Sequence, residues 1–96
     1  MDLSLSDSLT VQTDTVFRLL DDESVVLNLK SGTYFGLDPV GTRMWQLLVE
    51  HGTLGRVCDE LAREYAVERD LLERDLLSLA RQLCDRELME ARKRMA

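Results

Sequence analysis

The 96-residue sequence predicts a small α+β domain, a three-stranded antiparallel sheet followed by three helices. Two observations carry this. Apolar residues alternate with period two as far as Leu37, then recur from Val40 onward at i, i+3, i+4 and i+7. The change of period falls on Asp38-Pro39, a dipeptide suited to starting a helix. The short turns between the runs leave room for one compact core and no deep catalytic pocket.

The elements follow in order. Residues 1–10, MDLSLSDSLT, read as a flexible polar lead-in, and the domain proper is expected over 11–90. The first strand contains TVFRLL, with Phe17 and Leu19 on one face and Val16 and Leu20 on the other. Asp21-Asp22-Glu23 is an acidic turn. In SVVLNLK, Val25, Leu27 and Leu29 share one face against Val26, Asn28 and Lys30, the alternation a half-buried strand requires. Lys30-Ser31-Gly32 is a hairpin turn, and TYFGL returns as the last strand. That strand has a neighbour on one side only, and an open sheet edge is a hazard unless something covers or uses it.

Asp38 caps the first helix, whose stripe is Val40, Met44, Leu47 and Leu48, with Trp45 beside it as a packing anchor; Gly52 ends it. Thr53 is placed to cap a second helix carrying Leu54, Val57, Cys58, Leu61, Ala62 and Tyr65. A third helix starts near Glu68 or Asp70 and runs to about residue 86, with Leu72, Leu76, Leu79 and Leu83 as its main stripe. Leu71 lies to one side of that stripe and Leu77, Ala80 and Cys84 to the other, more apolar surface than one contact demands. Leu88 and Met89 suggest a short extended segment, and residues 91–96 a basic, solvated tail. The last two helices resemble a helix-turn-helix pair, which makes the whole winged-helix-like with the sheet first.

Composition narrows the function. The net charge is −6, split as six acids and two bases over residues 1–37 and twelve acids and ten bases over 38–96, so no basic half is hidden. That balance counts against nucleic acid as a partner. No apolar run reaches the ~20 residues of a membrane span and no secretion signal opens the chain, so no membrane partner is expected and the expected location is cytoplasmic. Cys58 and Cys84 are 26 positions apart without a C-x-x-C, which leaves zinc unsupported and both thiols reduced. His51, the one histidine, sits at a helix end with no ligand or triad partner at a useful spacing. No G-x-S-x-G, GxGxxG or phosphate-binding loop occurs. The sequence therefore calls for no cofactor and no catalytic residues, and points to binding.

Four pieces of the chain together resemble the PqqD family, the prototype of the recognition domains (RiPP recognition elements) used in making ribosomally synthesised, modified peptides. They are LNLKSGTYFGL; LDPVGTRMW; TLGRVCDELAREYAV; and DLLSLARQLCDRELM. The second is similar to the family pattern L-N-x-x-G-x-x-[IL]-[WL], and the last to D-V-x-x-F-L-x-x-L-x-x-x-G-L. The likeness covers roughly residues 16–89. Asp38-Pro39 departs from the commoner Asn, Leu79 stands in place of an aromatic residue, and Glu87 stands where the pattern has Gly.

The resemblance implies a non-catalytic chaperone that binds the leader of a precursor peptide. The leader would add as a strand beside the last strand, in the groove between it and the third helix, and be delivered to a maturation enzyme, either a leader peptidase of a lasso-peptide pathway or a radical-SAM enzyme. Thr33, Tyr34, Phe35, Gly36 and Leu37 would supply the strand, and Leu72, Asp75, Leu76 and Leu79 the helix wall. Which side chains of 33–37 face the ligand stays open, as does a homodimer. The alternative is a winged-helix transcription regulator, whose recognition helix would present Glu68, Asp70, Glu73 and Asp75 against Arg69 and Arg74 alone near its start, a poor surface for DNA.

Overall fold

A computed structural model describes residues 2–93. The order is β1 (Ser8–Val11), β2 (Thr15–Leu20), β3 (Glu23–Asn28), β4 (Tyr34–Leu37), α1 (Pro39–His51), α2 (Leu54–Glu64), α3 (Arg69–Asp85) and β5 (Met89–Arg92). Strands β2, β3 and β4 form the expected antiparallel meander with β3 in the centre. The three helices follow and pack in sequence on one another. Trp45 is buried and stacks on Phe17 with ring centroids 5.9 Å apart, which ties α1 to the sheet.

The chain ends differ from the reading of a flexible lead-in and a solvated tail. Strand β1 pairs antiparallel with β5, Leu9 opposite Ala91, and Leu9 and Met89 are core residues. The Lys93 ammonium contacts the Asp7 carboxylate at 3.0 Å and the Asp2 carbonyl. The cause lies in α2, whose first amides need acceptors. Thr53 stands at the N-cap position, but its side chain makes no capping bond. The carbonyls of Asp7 and Leu5 accept from Leu54 N and Gly55 N at 3.0 and 2.7 Å instead. The amino-terminal segment is thus built into the domain as the cap of α2. Of the expected basic tail, residues 94–96 lie outside the described residues.

The face of β3 that is buried is also unexpected. Ser24, Val26 and Asn28 point inward, whereas Val25 and Leu27 are half-buried and Leu29 is exposed. Polar residues go inside because each finds partners far along the chain. Ser24 Oγ lies 2.7 Å from Thr42 Oγ1 on α1. The Asn28 amide donates to the Glu87 carbonyl at 2.8 Å, and its oxygen accepts from the Lys30 and Ser31 amides. Phe17, Val26 and Phe35 share one row of the inner face. The outer face presents the row Val16, Leu27 and Tyr34.

Helix α1 begins and ends as its sequence predicts. The Asp38 carboxylate accepts from Gly41 N at 2.7 Å, Pro39 occupies the first turn, and Gly52 closes the helix at φ 79 with its amide on the Leu48 carbonyl. A Cβ at Gly41 would stand 3.1 Å from the capping Asp38 Oδ1 and 3.3 Å from Leu37 Cδ2, so the close junction of β4 and α1 depends on its absence. Past α3 the chain turns at Glu87 with φ 57, a conformation that favours glycine. This is the position where the family pattern has Gly. The Asn28 side chain holds the Glu87 carbonyl in that turn.

Candidate functional site

The site is built on the free edge of β4. In the β3–β4 ladder Asn28 N donates to the Thr33 carbonyl at 2.8 Å. Alternation along an antiparallel pair then makes Val26/Phe35 and Ser24/Leu37 the hydrogen-bonded pairs. Tyr34 and Gly36 consequently aim their amides and carbonyls away from the sheet. Thr33 precedes the strand, in the turn, where its amide meets Ser31 Oγ.

Beside this edge runs an open groove enclosing about 510 Å³. Strand β4 contributes Phe35, Gly36 and Leu37. The α3 wall is Asp75, Ser78, Leu79 and Gln82. The first turns of α1 close the third side with Val40, Gly41 and Met44. An extended chain laid in the groove would meet two unpaired backbone residues on one side and mixed apolar and polar side chains on the other. That is the arrangement by which a peptide adds to a sheet.

Of the residues singled out from the sequence, Phe35, Gly36, Leu37, Asp75 and Leu79 line the groove. Tyr34 brings its backbone to the edge while its ring, 72% exposed, lies on the outer face with Gly36. Phe35 and Leu37 turn inward, so they are the strand's side chains toward the groove. Leu72 and Leu76 are core residues and do not line it. The stripe 72, 76, 79, 83 packs against the core, and the neighbouring stripe 75, 78, 79, 82 forms the wall, with Leu79 common to both. Small polar Ser78 and Gln82 beside an apolar stripe were the signal for that rotation. Val40, Gly41 and Met44 also line the groove, although α1 reads from the sequence as a pure core helix.

Groups suited to bond-making chemistry are not gathered here. Burial pushes both thiols up, Cys58 in the core and Cys84 half-buried, away from the reactive thiolate. No cluster of three metal-ligating side chains occurs among the described residues. No described helix is long and apolar enough to cross a membrane. At the start of α3, Arg69 is held by Asp59 at 2.7 Å and by Glu73 at 3.1 Å, which removes one of the few cations a DNA-reading helix would use.

Comparison with known proteins agrees with this geometry. No curated protein sequence matches the chain. Among solved structures it is similar to "TbiB1 in Complex with the TbiA(beta) Leader Peptide", with 43% identity and a TM-score of 0.79 over 84% of this chain and 94% of that one. It is also similar to "Lasso peptide synthetase B1 complexed with the leader peptide", with 25% identity and a TM-score of 0.77 over 86% of this chain and 98% of that one. The family described as coenzyme PQQ synthesis protein D matches residues 23–89, from the start of β3 to the start of β5. The chain is a member of the PqqD family.

Proposed function

We propose that this protein is a leader-peptide-binding chaperone of a lasso-peptide pathway. The leader of a precursor peptide adds to β4 as a fourth strand and lies in the groove against α3. The observation that carries this is the free edge at Tyr34 and Gly36 beside a walled groove, in a chain 43% identical to one solved with a leader peptide. Backbone groups of the edge supply affinity common to any extended peptide, and the walls select the sequence. The protein performs no chemistry of its own. It raises the effective concentration of the precursor at a partner leader peptidase, in the cytoplasm.

Titration with candidate leader peptides of lasso-peptide precursors tests the reading. Dissociation constants in the nanomolar to micromolar range, about −8 to −12 kcal/mol, are expected. Tyr34→Pro removes an edge donor and wedges a ring toward the incoming strand. It should weaken binding on the order of a hundredfold, since an orphaned acceptor costs ~1–3 kcal/mol and the clash adds to it. Unchanged binding by a folded Tyr34→Pro variant means the leader sits elsewhere.

A further inference from the structure

The groove is not electrically uniform along its length. One end holds Asp75 of α3, with Asp38 across from it at the start of α1. Past the other end, outside the groove's lining, stands Arg86, whose guanidinium carbon lies 4.5 Å from the ring centre of the groove residue Phe35. Two contacts fix which end is which. Arg86 covers Phe35, and the Glu87 carbonyl takes the Asn28 amide, so the end of α3 lies at the turn end of β4. Asp75 therefore lies toward Leu37 and Asp38.

Both charges are available to a ligand. Asp75 and Arg86 are exposed and form no ion pair among the described residues. On the same helix Arg69 and Glu73 are paired with each other. Asp85 and Glu87, the sequence neighbours of Arg86, form no ion pair with it. The Arg86 cation rests instead on an aromatic face. Asp38 accepts from Gly41 N with one oxygen and keeps its charge, so it adds to the negative end that Asp75 marks.

We propose that these opposed charges read the leader's direction: the groove selects an extended peptide that carries a basic side chain four or six residues ahead of an acidic one. The inference rests on strand addition at β4. A guest strand antiparallel to β4 extends the meander in the sense of its other pairs, and it passes Asp75 first and Arg86 second. Arg86, which caps α3, follows Asp75 by eleven positions, about 16 Å at ~1.5 Å per residue. An extended chain covers that in about five residues at ~3.3 Å each, and two side chains on one face of a strand are an even number apart. A guest running the other way, or carrying the two charges in the reverse order, would set like charges together at both ends.

Selection from a displayed library of random dodecapeptides tests this, using the whole protein at low ionic strength. Enriched peptides should carry Lys or Arg four or six positions before Asp or Glu. Exchanging the two charges in a selected peptide should weaken it about tenfold, and 0.5 M salt should shrink that difference. The double variant Asp75→Lys, Arg86→Glu should select the reverse order, and its far-ultraviolet dichroism reports that it is folded. The milder pair Asp75→Asn, Arg86→Gln should abolish the order without inverting it. Enrichment with no order, or with the same order on the double variant, overturns the charge reading and leaves strand addition standing. No enrichment, or selected peptides that bind the Tyr34→Pro variant equally well, overturns strand addition and the charge reading with it.

Discussion

Strands β2 and β4 are the two borders of one sheet, and they are not equivalent. On β2 the Leu29 amide donates to the Asp14 carbonyl at 2.8 Å, so the same alternation leaves Thr15, Phe17 and Leu19 with backbone groups directed outward. That is one residue more than the two on β4. By hydrogen-bonding capacity alone β2 is the better template. Yet Leu19 and Leu20 stand exposed there, 51% and 61%, and the hollow beside its Leu19 end is walled by Pro39, Thr42, Arg43 and Gln46 of α1 with Tyr65, away from α3. On β4, α1 and α3 make the wall. Backbone valence makes an edge sticky, and what distinguishes β4 is a groove walled by two helices, α1 and α3, along that edge. An exposed Arg18 near the middle of β2 and the acids Asp14, Asp21 and Asp22 at its ends blunt the unwanted border.

The sharpest way to break the comparison is to block each border in turn. Leu19→Pro removes an outward amide from β2 as Tyr34→Pro does from β4. The β4 change should cost on the order of a hundredfold in leader affinity and the β2 change less than about twofold, by calorimetric titration. Equal losses would dissolve the distinction between the two edges. Next in size, Asn28→Ala orphans the two turn amides and the Glu87 carbonyl that it now satisfies. About 2–3 kcal/mol should be lost in urea unfolding, and leader affinity should fall too, because this side chain joins the turn of β4 to the end of α3.

Smaller effects sharpen the contrast from the stability side. Glu87→Gly should stabilise by about 1 kcal/mol in the same unfolding measurement, since a side chain held in the left-handed region costs ~1–2 kcal/mol and glycine gives part of that back as entropy of the unfolded chain. The smallest change is expected on β2. Thr15 Oγ1 is buried with no hydrogen-bond partner among the described residues, so Thr15→Val should raise stability by about 0.5 kcal/mol and leave leader binding untouched.

Much of this was legible in the residues. Asp38-Pro39 and Gly52 mark the ends of α1 because capping is local chemistry, written within four residues of where it acts. The meander was legible from its period and turns. The inward face of β3 was not, because apolar alternation pointed to Val25 and Leu27. Ser24 and Asn28 are buried through bonds to Thr42 and Glu87, 18 and 59 residues away. The same distance hid the pairing of β1 with β5, two four-residue strands with no local signature. Of the residues that the family likeness places at the site, Phe35, Gly36, Leu37, Asp75 and Leu79 line the groove. Leu72 and Leu76 lie in the core, because a 100° difference in helix rotation exchanges a core stripe for its neighbour.

The join of β1 to β5 also makes the domain portable. Its two ends sit side by side, with Ser8 opposite Arg92. A short loop could link them into a ring, and the chain could be reopened at the exposed Asp21-Asp22 turn to give a circular permutant of unchanged topology. For the same reason the whole unit could be spliced into a surface loop of an enzyme without stretching either protein.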